Sequence, residues 1–202
     1  MSKLIYFIKQ SWLLIVAAFI FGLLIAVTNS ALSEKISNNQ TNKLYELMGQ
    51  LITDAESFSK EYGNVTIVED GAKGIKSDIY KAVDKDSETV GYAFIAEGSG
   101  FADKIKLVIA VDGKGEKFLG FNVLSSNETP GFGSKISEPY FSDQFVGVCA
   151  RHLELAKTGS PELIDEQIVA ISGATVSSEA VIKIFNVYVD GVKEQLAKGV
   201  KN

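Results

Sequence analysis

Ile168-Val169-Ala170-Ile171-Ser172-Gly173-Ala174-Thr175-Val176-Ser177-Ser178 decides the fold of the C-terminal half. Four apolar, strand-like residues run into a turn of small residues, and the turn opens onto a helical pattern. Ala180, Val181, Ile184, Phe185, Tyr188, Val189, Val192 and Leu196 recur at the three- and four-residue spacing of an amphipathic helix, predicted over Val176 to Lys198. Gly199 follows as its C-cap. A turn of this kind leaves backbone N–H groups uncovered at the positive end of a helix dipole, which suits an anion, and phosphate in particular. Gly173 allows close approach, while Ser172, Thr175, Ser177 and Ser178 offer hydroxyls. The plain alternative is that Ser172 or Thr175 only caps the helix.

Upstream of this segment the pattern is that of strands. Val65 to Val68, Ile79 to Val83 and Val90 to Ala96 are short β-prone runs. Ile105 to Val111 and Phe118 to Leu124 flank Asp112-Gly113-Lys114-Gly115, a hairpin signal. Gly98-Ser99-Gly100 lacks the rest of a dinucleotide fingerprint and reads as a turn. Leu44, Leu47, Met48, Leu51, Ile52, Ala55 and Phe58 form a helical stripe that predicts a connecting helix. The expected fold class is α+β, an antiparallel sheet packed by helices.

The N-terminal end is different. Leu13 to Val27 is entirely apolar or glycine, and with Leu4, Ile5, Phe7 and Ile8 it reaches the roughly 20 residues a membrane-spanning helix needs. A cleaved signal peptide ends in an A-x-A-like site, whereas this exit reads Thr28-Asn29-Ser30-Ala31, so an uncleaved anchor fits better. Lys3 and Lys9 precede the anchor, which by the positive-inside bias directs the rest of the chain out of the cytoplasm. The expected layout is a cytoplasmic N-terminus (1–10), a transmembrane helix (11–30), a connecting helix (31–62) and an extracytoplasmic domain (63–202).

Of the 202 residues, those from Glu34 onward carry 18 basic and 25 acidic side chains, a formal charge of −7. Such a surface repels nucleic acid and anionic headgroups. Cys149, Arg151 and His152 are each the single residue of their type. An intrachain disulfide is therefore impossible, and a Cys/His zinc site or Cys-ligated iron–sulfur cluster lacks ligands. Cys149, within Phe145-Val146-Gly147-Val148, reads as a buried apolar thiol.

Ser172-Gly173-Ala174-Thr175 resembles the S/T-G-A-T motif of the FMN-binding domain family, found in the G subunit of Rnf-type ferredoxin:NAD oxidoreductases and in the C subunit of sodium-pumping NADH:quinone oxidoreductases. Asn127-Glu128-Thr129-Pro130-Gly131-Phe132-Gly133 resembles that family's E-T-P-G-L-G loop. Pro130 and Gly131 suit the centre of a type II turn, and Glu128 can brace the loop. Gly91-Tyr92, Gly100-Phe101, Val111-Asp112-Gly113 and Gly120-Phe121-Asn122-Val123 follow the same layout, as do the anchor and the motif order. The resemblance thus spans essentially the whole chain, and its length sides with the Rnf-type subunit.

The resemblance implies FMN esterified through its phosphate to Thr175 Oγ1. The flavin site would be built from Ser172, Gly173, Ala174, Ser177, Glu128, Thr129, Gly131 and Phe132. It further implies a separate flavin transferase for maturation, since no motif positions a base to activate Thr175. The implied role is electron transfer within a membrane ion-translocating oxidoreductase coupled to Na+ or H+ movement, beside other membrane subunits that include a second flavin-bearing one. The chain would be a redox subunit, not catalytic alone. A free-standing surface flavoprotein and a flavin-free structural subunit are the alternatives. Two departures from the family pattern are Val169, where an aspartate is usual, and Phe132, where leucine is usual.

Overall fold

In a computed structural model of the chain, residues 2–68 and 74–199 are described, apart from the side chains of 2–9. Two units are distinguished, Met1–Lys43 and Leu44–Asn202. The side chains of Lys3 and Lys9, which carry the charge bias, lie outside the described part.

The first unit is helical. Helix α1 covers Ser2–Leu51, and the polar stretch from Ser33 to Asn42 belongs to it. From Gln10 onward it is long and apolar enough to cross a membrane, with Leu14, Phe19, Phe21 and Ile25 exposed.

The second unit begins with the last turns of α1 and continues as an antiparallel meander. Strands β1 (Ser57–Val68), β2 (Ile75–Val83), β3 (Thr89–Ser99), β4 (Lys104–Asp112) and β5 (Phe118–Ser125) pair in sequence order. There follow a short helix α2 (Pro139–Ser142), a parallel pair β6 (Glu154–Ala156) and β7 (Gln167–Val169), and the long helix α3 (Thr175–Gly199). The expected α+β class and hairpin are both present. Asp112 Oδ1 accepts the Glu116 N–H at 2.7 Å, and Gly115 adopts φ +69° to close the turn.

The sheet is buried on both faces, which explains the unbroken apolar run of β4. Ile105, Leu107, Ile109 and Val111 join Phe185, Tyr188 and Val192 of α3 in one cluster. Val108 and Ala110, pointing the other way, join Leu44, Met48 and Ile52 in a second. Phe121, Phe141, Phe145 and Phe185 form a nest of edge-to-face and tilted rings within the first, with Phe121–Phe145 centroids 4.8 Å apart. Tyr188 is buried there, which pushes its hydroxyl pKa up, and its oxygen accepts the Glu97 N–H at 3.1 Å.

Several expectations need correcting. The connecting helix does not reach residue 62: α1 stops at Leu51, and β1 starts at Ser57 rather than Val65. The apolar spacing misled because Ala55 and Phe58 pack on the same cluster as Met48 after the chain has turned. Gly98 and Ser99 are the end of β3, and the turn begins at Gly100, whose N–H donates to Asp103 at 2.8 Å. Cys149 is half-buried, not buried.

Two glycines separate packing from propensity. A Cβ at Gly191 of α3 would collide with the Ile67 carbonyl of β1, whereas one at Gly49 of α1 meets nothing within 4 Å. Gly191→Ala should therefore destabilise the full chain by about 1–3 kcal/mol, despite alanine's better helix propensity. Gly49→Ala should be neutral or stabilising by up to about 1 kcal/mol. Urea unfolding in detergent, followed by circular dichroism, checks both.

Candidate functional site

Three segments distant in sequence converge at the N-terminus of α3. The first is the β3–β4 turn with Phe101 and Ala102. The second is the loop from Glu128 to Gly133, and the third is Ser172 to Ser178. They border a cleft of about 460 Å³ lined by Phe101, Thr129, Phe132, Gly133 and Gly173 to Ser177. That volume lies within the range of small-molecule sites, about 300–1,000 Å³.

Glu128 holds the three segments together. The residue is 5% exposed. One carboxylate oxygen accepts the Ala102 N–H at 3.0 Å, and the other accepts the Ser177 hydroxyl. Gly133 lies against this pair, since a Cβ there would come within 2.6 Å of both Glu128 Oε2 and Ser177 Oγ. A Cβ at Gly100 would likewise strike Glu128 Oε1. The two glycines are where the backbone comes close to the carboxylate.

The loop has the expected turn. Phe132 N–H donates to Thr129 O at 3.2 Å across Pro130 and Gly131, and Gly131 has φ +75° as the third residue of a type II turn requires. Ser134 Oγ accepts the Gly131 N–H at 2.9 Å and so fixes the turn's far side. The ring of Phe132 is thereby carried over Gly173, whose Cβ position is 3.5 Å from Phe132 Cδ1.

The hydroxyls of the small-residue segment are not equivalent. Ser178 Oγ donates to Ala174 O and accepts the Ile171 N–H, both at 3.0 Å, and is buried. Ser177 Oγ is committed to Glu128. Ser172 is exposed and does not line the cleft. Thr175 is half-buried, lines the cleft and, among the described residues, makes no side-chain hydrogen bond. Neither Ser172 nor Thr175 caps α3. The amides of Thr175, Val176 and Ser177 are also unbonded among the described residues, ahead of the first helical bond from Ser178 N–H to Ala174 O.

The sequence reading identified Thr129, Gly131, Phe132, Gly173, Ala174, Thr175, Ser177 and Glu128 as site residues. All of these except Glu128 and Gly131 line the cleft, and those two act from behind and beside it. Ser172 stands apart. Phe101 and Val176 were missed, although both line the cleft and are 67% and 53% exposed. Exposed bulky apolar residues flanking glycine or threonine turns were the available signal. The Val169 backbone is clamped by Gln144, which accepts its N–H at 2.8 Å and donates to its carbonyl at 3.3 Å. The Val169 side chain faces Gly159.

Residues 100–190 match the FMN-binding domain family. The chain is 33% identical over 181 residues to the G subunit of the proton-translocating ferredoxin:NAD(+) oxidoreductase complex of Clostridium ljungdahlii, covering 90% of this chain and 85% of that protein. It is 30% identical over 182 residues to the G subunit of the ion-translocating oxidoreductase complex of Methanosarcina acetivorans, covering 90% and 92%. In fold it is similar to NqrC of Shewanella oneidensis, with a TM-score of 0.57 at 20% identity over 72% of this chain and 73% of that one. This chain belongs to the FMN-binding domain family, with the G subunits of ion-translocating oxidoreductase complexes as its relatives. The one helix among the described residues that is long and apolar enough to cross a membrane, near the N-terminus, suggests single-pass anchoring.

FMN fits the cleft chemically. The free amides at the start of α3 and the glycine at 173 suit its phosphate, and Phe101, Phe132 and Val176 offer apolar surface to its ring. Glu128→Ala should cost about 1–3 kcal/mol, as the buried Ser177 hydroxyl and the Ala102 amide lose their acceptor. Hydrogen exchange of the Ala102 amide should speed up in that variant. Ser126→Ala, which removes only a 3.2 Å acceptor of the Glu128 N–H, should leave Ala102 protected.

Proposed function

We propose that the protein is an electron-transfer subunit carrying FMN as a phosphoester on Thr175, within a membrane ion-translocating oxidoreductase of the Rnf type. The observation that carries this reading is the sorting of hydroxyls at α3. Among the described hydroxyls of the Ser172–Ser178 segment, Thr175 alone lines the cleft, is partly open and has no bond to give up, while uncovered amides stand beside it. The G-subunit relatives support the wider assignment, a complex passing electrons from ferredoxin to NAD while moving Na+ or H+.

When bound, FMN supplies reversible redox chemistry, and the protein supplies its position and surroundings. The chain's own residues have distinct tasks. Thr175 Oγ1 would be the tether, and the Val176 and Ser177 amides with Gly173 would receive the phosphate. Phe101, Phe132 and Val176 would offer the ring apolar surface and keep water from part of it. Thr129 and Gly131 shape the loop that carries Phe132, and Ala174 and Ser177 anchor the start of the helix.

The hydroxyl of Thr175 has no base within the hydrogen bonds described, so attachment calls for a separate flavin transferase that uses FAD and releases AMP. Electron partners are the other membrane subunits of the complex, among them one bearing a second flavin. The anchor's lysine-flanked entry supports an extracytoplasmic flavin domain with the short N-terminus in the cytoplasm.

Co-expressed with its native transferase and run on a denaturing gel, the chain should give a flavin-fluorescent band. Thr175→Val should abolish the band and Thr175→Ser should retain it. A band that persists in Thr175→Val would exclude this tether.

Sidedness is read by protease. Added to intact, wall-stripped cells, it should remove the domain and leave a small anchor fragment. Protection in cells with digestion in inverted vesicles would reverse the topology.

A further inference from the structure

We propose that the buried Glu128 carboxylate sets the reduction potential of the FMN held in the cleft, by placing a fixed negative charge directly behind the cleft wall. This rests on the function proposed above and adds a role for a residue that does not itself line the cleft.

Position is the first argument. Ser177 lines the cleft and donates its hydroxyl to Glu128, so one side chain separates the cavity from the carboxylate. Gly133, also in the lining, approaches so closely that a Cβ would lie 2.6 Å from Glu128 Oε2. No bulky side chain stands between the loop backbone and the acid.

Charge is the second. Both carboxylate oxygens act as acceptors, one from Ala102 N–H and one from Ser177 O–H. None of the ion pairs among the described residues involves Glu128. Its compensation comes from two neutral donors and the positive end of α3. Burial keeps solvent and salt from screening what remains of its field. Electron uptake adds negative charge to a ring occupying the cleft, and a fixed anion nearby opposes it.

A latch alone would explain the hydrogen bonds but not a dependence of potential on charge. Two variants separate the readings. Glu128→Gln keeps the shape and removes the charge. Ser177→Ala keeps the charge and removes one of the donors that compensate it. A purely structural role loosens the same site in both and moves the midpoint in one direction; a charge effect moves it in opposite directions.

The full chain is purified in detergent after co-expression with its flavin transferase, its FMN content is verified by mass, and it is titrated with dithionite in the presence of mediators. Flavin absorbance gives the midpoint. Glu128→Gln should favour reduction tenfold or more, equivalent to about 30 mV for a two-electron couple. Ser177→Ala should disfavour it by about threefold. Shifts of the same sign, or an unchanged midpoint in either variant, would overturn the proposal. Should Glu128→Gln fold poorly, Ser177→Ala still exposes the proposal to refutation, since it requires a lowered midpoint and an unchanged or raised one overturns it. A folded Glu128→Gln chain that has lost its FMN also counts against it, since the carboxylate would then hold the site together. Absence of FMN from the unaltered chain would defeat the functional reading instead.

Discussion

The carboxylate of Glu128, out of water and bonded to Ala102 N–H and Ser177 O–H, is the constraint on which the rest of the site depends. It joins a β-turn, a loop and a helix start, with Asn127 Nδ2 donating to Asp103 Oδ2 at 2.8 Å as a second tie between the first two. A buried carboxylate is costly unless its acceptors are filled, so the three segments are held in one arrangement and not merely near one another. Gly100 and Gly133 are the complement of that arrangement, because any side chain there would occupy the space the carboxylate fills.

From this constraint the chemistry of the hydroxyls follows. Glu128 engages Ser177, the Ala174 carbonyl engages Ser178, and the turn at Gly173, with φ +80°, leaves Ser172 outside the cleft. Of the hydroxyls in that segment, Thr175 is what remains. The sheet contributes by rigidity: α3 is seated on it through Phe185, Tyr188 and Val192, so the helix start that presents Thr175 is fixed by the core behind it.

Much of this was legible in sequence because it is local. The type II turn at Pro130-Gly131, the hairpin at Asp112 to Gly115 and the start of α3 are each written in a few adjacent residues, and each is found where its residues imply. What was not legible depends on long-range packing. Helical spacing from Leu44 to Phe58 continued past the end of α1 because Ala55 and Phe58 return to the same apolar cluster from a turn and a strand. Phe101 belongs to the site only because Ala102, its neighbour, is held by a residue 26 positions away. The roles of Ser172 and Ser177 were alike on paper and differ in space for the same reason.

The central claim is that Thr175 is the one hydroxyl through which this chain carries FMN. Peptide-resolved mass spectrometry of the protein purified from membranes that contain its transferase tests it most directly. The account predicts a peptide spanning Ile171 to Lys183 heavier by one FMN less one water, with fragmentation assigning the addition to Thr175. An unmodified peptide, or an addition assigned to Ser172, Ser177 or Ser178, would contradict it.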